Sequence, residues 1–392
     1  MKSVVLYLHM HQPFRVRKYS IFDVGLKSDY FEGDKEIFLK VANKSYRPML
    51  KLLGKCLQKH PEFRFSLSIT GTFLEQAAEW APDVVETLQK LVATGRVEIV
   101  AETYYHSLAF FYDREEFELE VKQHMAKISE VFGVKPTAFR NTELAYNDDL
   151  AQWADKFGFK TILAEGWDKI LGWQSPNWVY QPAGCKKIRL LTKNYRLSDD
   201  VAFRFSDQSW KEHPLSVEKY YSWLEQDTKR GPLVNLFMDF ETFGEHQWAD
   251  TGIFTFFEKF VAKWLSNDNE FLTVTEASAS MEPKAEVSMP ETVTWADTER
   301  DLTAWMGNAM QGSAMREIYA LRDTALATAD DVLIEDWRRL LTSDHAYYMC
   351  TKYFNDGDVH AYFSPYDSPY DAFMYYFNVL RDVEFRLKRE KA

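Results

Sequence analysis

The sequence of 392 residues has few cysteines and no long apolar run. Its three cysteines, Cys56, Cys185 and Cys350, lie far apart and form no C-x-x-C pair, which argues against a disulfide framework or a zinc–thiolate site. No apolar stretch reaches the roughly 18 to 20 residues of a membrane-spanning helix. The apolar run near the N-terminus is too short for a signal peptide. We therefore expect a cytoplasmic protein without a membrane partner.

Excess basic charge and the common cofactor motifs are also missing. The chain has 47 Lys and Arg against 59 Asp and Glu, a formal net charge of -12, which argues against a nucleic-acid partner. It contains no G-x-G-x-x-G, no G-x-x-x-x-G-K-[ST], no H-E-x-x-H and no G-x-S-x-G. We accordingly predict no cofactor, and the sequence leaves the oligomeric state open.

Aromatic residues, in contrast, are abundant. The 12 Trp, 21 Tyr and 29 Phe residues make up 16% of the chain. Most of them must lie in the core, because aromatic side chains dominate core burial. Their faces also suit the apolar C–H faces of sugar rings.

Short apolar segments alternate with helical patterns through about two thirds of the chain, which favours an α/β fold with a parallel sheet. The predicted strands cover residues 4–9, 63–70, 97–102, 138–143, 161–165, 188–192, 234–239 and 271–275. Charged or imidazole side chains stand at the ends of five of them: His9, Glu102, Glu143, Glu165 and Asp239. Polar groups at one end of many strands are typical of the catalytic face of a barrel. An open sheet would gather them at a single switch point.

The pattern changes near Met281, where a polar linker with Pro283 and Pro290 begins. Beyond it the apolar spacing is helical, with predicted helices over 306–325, 330–349 and 372–389. We predict a barrel domain over residues 1–282 and a helical domain over 283–392.

Two strand ends carry the most suggestive chemistry. An apolar strand runs into Asp239-Phe240-Glu241-Thr242-Phe243-Gly244-Glu245-His246, and another ends at Glu143. Glycoside hydrolysis needs such a pair of carboxyls, one as acid and one as nucleophile or base. The alternative is that either carboxylate merely pairs with a nearby cation such as Arg140, since structural ion pairs also occur.

The first strand leads into His9 and His11, which point the same way because strand side chains alternate. They could hydrogen-bond a sugar or, with Asp239 or His106, bind a metal ion. Glu98 lies inside an apolar strand and must be paired or hydrogen-bonded. It could orient His9 or His11, or it could bind an arginine at the barrel floor.

These segments resemble the five ordered motifs of glycoside hydrolase family 57, and most of all its α-amylase-type members. The motif segments are His9-Met10-His11-Gln12-Pro13, Gly95-Arg96-Val97-Glu98-Ile99, Thr142-Glu143-Leu144-Ala145-Tyr146, Met238-Asp239-Phe240-Glu241-Thr242-Phe243-Gly244-Glu245-His246 and Asp301-Leu302-Thr303-Ala304-Trp305-Met306-Gly307-Asn308. The second motif has Arg96 where glutamine is common.

The resemblance implies an incomplete seven-stranded (β/α) barrel followed by a helical bundle that completes the active site. It implies a retaining hydrolase of α-1,4-glucans such as starch, glycogen and maltooligosaccharides, with Glu143 as nucleophile and Asp239 as acid/base. We predict no metal at the site. His9, His11, Glu98, Glu241, His246 and Asp301 would contact the substrate, and Trp305 would stack on it. For the acid role we expect Glu143 to raise the pKa of Asp239 by like-charge repulsion.

Three alternatives remain. The same site could perform transglycosylation, as a 4-α-glucanotransferase or a branching enzyme. Related barrels, such as family 38 α-mannosidases and polysaccharide deacetylases, use a metal, although their motifs place an Asp beside the first His. The protein could also bind glucans without turnover.

Overall fold

The computed structural model describes residues 1–26, 28–352 and 364–390. Its strands are β1 (Ser3–Met10), β2 (Phe65–Ile69), β3 (Val97–Ile99), β4 (Ala138–Phe139), β5 (Thr161–Glu165), β6 (Val179–Pro182), β7 (Arg189–Lys193), β8 (Leu233–Asp239), β9 (Glu270–Leu272) and β10 (Glu286–Val287). Each predicted strand overlaps one of these, and β6 and β10 are additional.

The helices include α1 (Asp34–Val41), α2 (Arg47–Lys59), α3 (Gly71–Trp80), α4 (Pro82–Val92), α5 (Ala109–Tyr112), α6 (Arg114–Phe132), α7 (Asp148–Phe157), α8 (Asp168–Leu171), α9 (Tyr195–Ala202), α10 (Val217–Asp227), α11 (Ile253–Leu265) and α12 (Val274–Ala279). A π-helical segment, Ala42–Tyr46, joins α1 to α2. The C-terminal part contains α13 (Thr303–Met306), α14 (Ala309–Ala320), α15 (Arg322–Leu326), α16 (Asp331–Arg339), α17 (Ser343–Tyr348) and α18 (Pro369–Glu390). Within the described residues no helix has both the length and the apolarity to cross a bilayer.

The strands form two curled sheets whose main ladders are parallel. One has the order β3-β2-β1-β8, with β9 beside the start of β1, and the other has the order β10-β6-β7-β5-β4. They meet at a bridge between Ala101 and Phe139 and at a hydrogen bond from Asn194 N to Asn235 O of 2.8 Å. The predicted α/β fold, an incomplete barrel with C-terminal helices, is confirmed.

The alternation of β1 explains how the barrel presents its polar residues. Val4, Leu6 and Leu8 pack outward into a core with the surrounding helices. Val5 and Tyr7 point the other way and pack with side chains from both sheets. His9 continues this inward row, so the strand end delivers an imidazole to the barrel mouth.

The C-terminal helices share a core with the second half of the barrel. One buried cluster joins Phe117 of α6 and Phe139 of β4 to Trp337 of α16 and Tyr376 of α18. β10 lies beyond the predicted boundary at residue 282 and pairs with β6, so the linker first extends the second sheet. The boundary itself stays a prediction.

Candidate active site

The end of β1 lies between those of β2 and β8 at the mouth of the barrel. His9 is in register with Ser68 of β2 and with Asp239 of β8. Its Nδ1 lies 3.4 Å from Asp239 Oδ1. The ends of β1 and β8 therefore lie side by side, as predicted.

Three histidine rings form a stack at this mouth. The centroid of the His106 ring lies 4.8 Å from that of His9 and 4.2 Å from that of His11, and the centroids of His9 and His11 are 6.0 Å apart. The prediction that His9 and His11 point the same way is confirmed, and both rings lie against that of His106. His106 has a φ of 54°, in the left-handed region that residues other than glycine rarely adopt.

Glu102 and Arg140 form a fully buried ionic base to this stack. Glu102 Oε2 lies 3.1 Å from His9 Nε2, 3.4 Å from His106 Nδ1 and 3.3 Å from Arg140 Nη1. Burial by itself raises the pKa of Glu102, but the charges and hydrogen bonds of His9, His106 and Arg140 outweigh it and hold the pKa well below its usual value. Arg140 therefore pairs with Glu102 and makes no hydrogen bond to either proposed catalytic carboxylate.

Glu143 follows β4 in a tight turn, Thr142–Leu144, with a φ of 57°. Its Oε1 lies 3.2 Å from His106 Nε2 and accepts from Ser343 Oγ at 3.1 Å, while Oε2 accepts from Trp295 Nε1 at 2.8 Å. Burial raises the pKa of Glu143, but His106 and Trp295 outweigh it and the pKa is lowered. The site thus holds an ionised, oriented carboxylate, as a nucleophile requires.

Asp239 is the more accessible carboxylate. Its side chain is 37% exposed, against 16% for Glu143. The expectation that Glu143 raises the pKa of Asp239 is wrong for the free protein. Burial raises this pKa, but the hydrogen bond and charge of His9, with His246 and Arg140, lower it below the usual value. These three side chains therefore affect the pKa of Asp239 more strongly than Glu143 does.

Glu241 and His246 line the Asp239 side of the mouth. Glu241 is buried and accepts a hydrogen bond from the Tyr46 hydroxyl at 2.5 Å. Burial and the charge of Asp239 raise its pKa to about 8. His246 acts on Asp239 through its charge, and burial lowers its own pKa. Both predicted contacts thus lie beside the proposed acid/base.

The helical region enters the site at the start of α17. Ser343 donates to Glu143, and Asp344 Oδ2 lies 3.0 Å from His11 Nε2. His11 and His106 outweigh the effect of burial and lower the pKa of Asp344. Burial and the charge of His106 lower the pKa of His11 to about 4. Sequence reasoning missed both residues of α17, although the polar run 342–345 interrupts a helical apolar pattern.

Three residues that were predicted to contact the substrate make other contacts in the structure. Glu98 binds Ser66 Oγ at 3.1 Å and Thr275 N at 2.9 Å, so it ties β2 and β3 to α12. Glu102, four residues later on the same inward row, contacts His9 instead. The Asp301 carboxylate accepts from the backbone N of Thr303 at 2.8 Å and serves as a local cap of α13. Trp305 is 1% exposed and packs in the core, so it presents no face to a sugar.

The tryptophan at the site is Trp295, which sequence reasoning also missed. Besides binding Glu143, its ring lies edge-on to His9, at 6.1 Å, and under the guanidinium of Arg140, at 5.1 Å. Its loop is anchored by Arg300, whose Nη1 donates to Glu165 at 2.6 Å. In the sequence, the one sign of a role for Trp295 is its isolated position after the linker that contains Pro283 and Pro290.

Among the residues that the structure describes, two groups of side chains bring three possible metal-binding atoms within 4.8 Å of one another: His9 with Glu102 and His106, and His11 with His106 and Asp344. Each of these five side chains already has a hydrogen-bond partner in the cluster. A metal ion at either group would displace hydrogen bonds between these histidines and carboxylates. The prediction of a metal-free site stays a prediction.

The charges of the site suit a reaction with a cationic transition state. The pKa values of Glu102, Glu143, Asp239 and Asp344 are all lowered. Burial lowers the pKa of His106, but its hydrogen bonds to Glu102 and Glu143 raise it to about 9. At neutral pH these four carboxylates are therefore ionised, and they lie near the cations His106 and Arg140. Ionised carboxylates at the mouth would stabilise an oxocarbenium-like centre.

Comparison with known proteins identifies relatives of this chain. A protein of Methanocaldococcus jannaschii, provisionally named as an alpha-amylase, is 41% identical over 396 residues, which covers 97% of this chain and 83% of that protein. The structure of a GH57 branching enzyme from Thermococcus kodakaraensis matches with a TM-score of 0.68 at 14% identity, covering 89% of this chain and 86% of that one.

The 4-alpha-glucanotransferase of Thermococcus litoralis matches with a TM-score of 0.64 at 17% identity. That match covers 88% of this chain, which spans only 56% of the length of the larger enzyme. At these identities the two structures support the fold alone. The sequence itself matches the description "Glycosyl hydrolase family 57" over residues 5–290. The chain therefore belongs to glycosyl hydrolase family 57.

Proposed function

We propose that the protein is a retaining glycoside hydrolase that cleaves α-1,4-glucans of the starch and glycogen type. The observation that carries the proposal is the pair Glu143 and Asp239, each held by one member of the stacked histidines His106 and His9. The name of the Methanocaldococcus jannaschii relative supports an α-glucan substrate.

In the proposed reaction, Asp239 protonates the glycosidic oxygen while Glu143 attacks the anomeric carbon. The C–O bond to the leaving sugar breaks, and a glycosyl ester of Glu143 forms. Asp239, now ionised, removes a proton from water as the water attacks the ester and frees Glu143. A substrate that covers the exposed part of Asp239 adds burial, which raises its pKa towards the acid role.

The test is the product pattern from maltoheptaose for the wild-type protein and three variants. We expect shorter maltooligosaccharides from the wild type and from Glu118→Gln, a control on an exposed position of α6. Glu143→Ala should lose activity by at least about 10³-fold while it still binds the sugar. Added azide should restore turnover in Glu143→Ala, because a small anion can replace the missing nucleophile.

The variant Asp239→Asn tests the second role. It should retain more activity on a substrate with a good leaving group, such as a maltosyl fluoride, than on maltoheptaose, because only the poor leaving group needs a proton. Undiminished activity of Glu143→Ala would refute the assignment. Products longer than maltoheptaose would show that the main reaction is transglycosylation and not hydrolysis. An unchanged substrate would favour a protein that binds glucans without turnover.

A further inference from the structure

One face of α6 carries a row of buried polar residues. Glu116, Glu120 and His124 are spaced by four positions, so they lie on one side of the helix, and each is 0% exposed. A buried polar side chain is costly unless it is hydrogen-bonded. This row therefore has partners inside the protein, and two of its members bond to the active-site segments.

Glu120 binds the residues on both sides of His106, the backbone of Tyr105 and the hydroxyl of Ser107. Its Oε2 accepts from Tyr105 N at 3.0 Å, and its Oε1 accepts from Ser107 Oγ at 2.5 Å. The residue between these contacts, His106, has the left-handed φ of 54°. Such a backbone persists in a residue other than glycine only where its surroundings fix it.

The C-terminal helical region forms hydrogen bonds to the segment around His106 from the opposite side. Thr342 Oγ1 donates to Tyr105 O and Ser343 N donates to His106 O, each at 2.9 Å. The conformation of His106 thus depends on α6 on one side and on the start of α17 on the other. Its ring is thereby placed between Glu102 and Glu143.

The neighbours of Glu120 on the helix extend this arrangement. His124 Nδ1 lies 3.4 Å from Glu102 N and its Nε2 lies 2.8 Å from Ile69 O. Glu116 accepts from Arg338 Nε of α16 at 2.8 Å. One helix face therefore contacts the segment that bears Glu102, the segment that bears His106 and the helical region.

We propose that Glu120 is a positioning residue, which holds His106 in the strained backbone conformation that aims its imidazole at Glu143. The proposal rests on the proposed function for the role of Glu143, but the geometry that it concerns exists without substrate. The hydrogen bonds of Glu120 go to Tyr105 and Ser107, and its described partners include neither Glu143 nor Asp239.

The test follows the protonation of His106 in variants of Glu120. The charged and titratable groups that surround this ring are Glu102, Glu143, Arg140, His9, His11 and Asp344. All of them stay in place in Glu120→Ala, Glu120→Gln and Ser107→Ala. Glu118→Gln, on an exposed position of the same helix, is the matched control. The pKa of His106 is measured by NMR on histidine-labelled protein, with a His106→Gln variant to assign its signals.

In Glu120→Ala we expect the pKa of His106 to fall by about one unit or more, because its hydrogen bonds to the two carboxylates weaken. We expect kcat on maltoheptaose to fall by about 10- to 100-fold with little change in KM, since binding groups are untouched. Glu120→Gln keeps one acceptor oxygen and Ser107→Ala keeps the Tyr105 contact, so both should show smaller shifts in the same direction. Glu118→Gln should match the wild type.

A folded Glu120→Ala with an unchanged His106 titration would overturn the proposal, whatever its activity. If Glu120→Ala does not fold, the titration of His106 in Glu120→Gln and Ser107→Ala tests the proposal instead. A His106 pKa equal to that of the wild type in both variants would overturn it. If the wild type does not cleave α-glucans, the proposed function fails, yet the NMR titration still tests the positioning role.

Discussion

Glu143 and Asp239 stand in different surroundings, and the difference fits their two proposed roles. Glu143 has three hydrogen-bond partners, His106, Ser343 and Trp295, and is mostly covered. Asp239 contacts one imidazole at 3.4 Å and is partly open. A nucleophile gains from a fixed position, whereas an acid/base must exchange a proton with the leaving group and then with water.

Trp295→Phe tests the donor that faces Glu143. It removes the N–H and keeps most of the ring, so the pKa of Glu143 should rise. We expect the acidic limb of the kcat/KM profile to move to higher pH and kcat to fall by roughly 10-fold. Trp173→Phe, at a position that is 88% exposed, should leave the profile unchanged. An unshifted acidic limb in Trp295→Phe would show that this bond does not act on the reacting carboxylate.

Asp344→Asn and Asp301→Asn separate the residue that reaches the site from the one that the sequence motif indicated. Asp344 carries a negative charge beside His11 and His106, so its loss should lower kcat/KM by about 10²-fold. Asp301 bonds only the start of α13 among its described side-chain contacts, and its variant should stay within about twofold of wild type. The measurement is kcat/KM of both variants on maltoheptaose. A larger loss in Asp301→Asn than in Asp344→Asn would contradict the placement of Asp344 at the site.

His9, Glu143 and Asp239 could be placed at the barrel mouth from the sequence because each lies at or shortly after the end of an apolar strand. A single change of polarity marks such a position, and parallel strand ends meet in space. Asp344 and Trp295 give no such signal. They reach the site through a helix start and a loop whose places depend on tertiary packing, which a local pattern does not encode.

At the scale of elements, the strands were easier to predict than the helix ends. Buried parallel strands are continuous apolar runs, whereas β6 and β10 are short segments of mixed polarity at one side of the second sheet. The predicted helix over 330–349 is wrong as one element, because the chain divides it into α16 and α17. The polar residues Thr342 and Ser343 bond to backbone oxygens across the interface, and these contacts replace continued helix.

Gly244→Ala tests the turn that follows β8. Gly244 has a φ of 113°, and an added Cβ would lie 2.0 Å from the backbone oxygen of Lys44 in the π-helical segment. We expect Tm to fall by roughly 4 to 8 °C, because both strain and a backbone clash must be relieved. Activity should fall as well, since the turn places His246.

Gly54→Ala is the control for this substitution. Gly54 lies inside α2, where the nearest side-chain atom would be 3.4 Å from the new Cβ. Alanine favours a helix interior over glycine, so Tm should stay level or rise slightly. Equal melting temperatures for the two variants would mean that the turn after β8 accommodates a side chain.

At the scale of the whole molecule, four buried groups make stability fall as the pH rises from 6.5 to 8. Burial raises the pKa of Glu120 and Glu241 to about 8 and that of Asp336 to about 7, and hydrogen bonds raise that of His106 to about 9. In this range the native state holds protons that the unfolded chain has released, so each step up in pH favours unfolding. Urea titrations at pH 6.5 and 8 should show a lower free energy of unfolding at pH 8.

Glu120→Gln checks the source of this dependence, because glutamine does not titrate. The variant should lose less stability than the wild type between pH 6.5 and 8. Glu118→Gln, which removes an exposed carboxylate, should keep the wild-type dependence. A wild-type protein that is more stable at pH 8 than at 6.5 would contradict the burial of these groups in their protonated forms.

The entry of Ser343 and Asp344 into the barrel mouth has a consequence for the order of events during synthesis. A ribosome makes Glu143 and Asp239 long before residues 342–344. Until residues 342 and 343 are made, the segment around His106 lacks the two hydrogen bonds that they donate to Tyr105 O and His106 O. A growing chain therefore contains both carboxylates before it contains the residues that hold His106 and Glu143 from the helical side. The site geometry described above is complete only after residues 342–344 have been made and have packed against the barrel mouth.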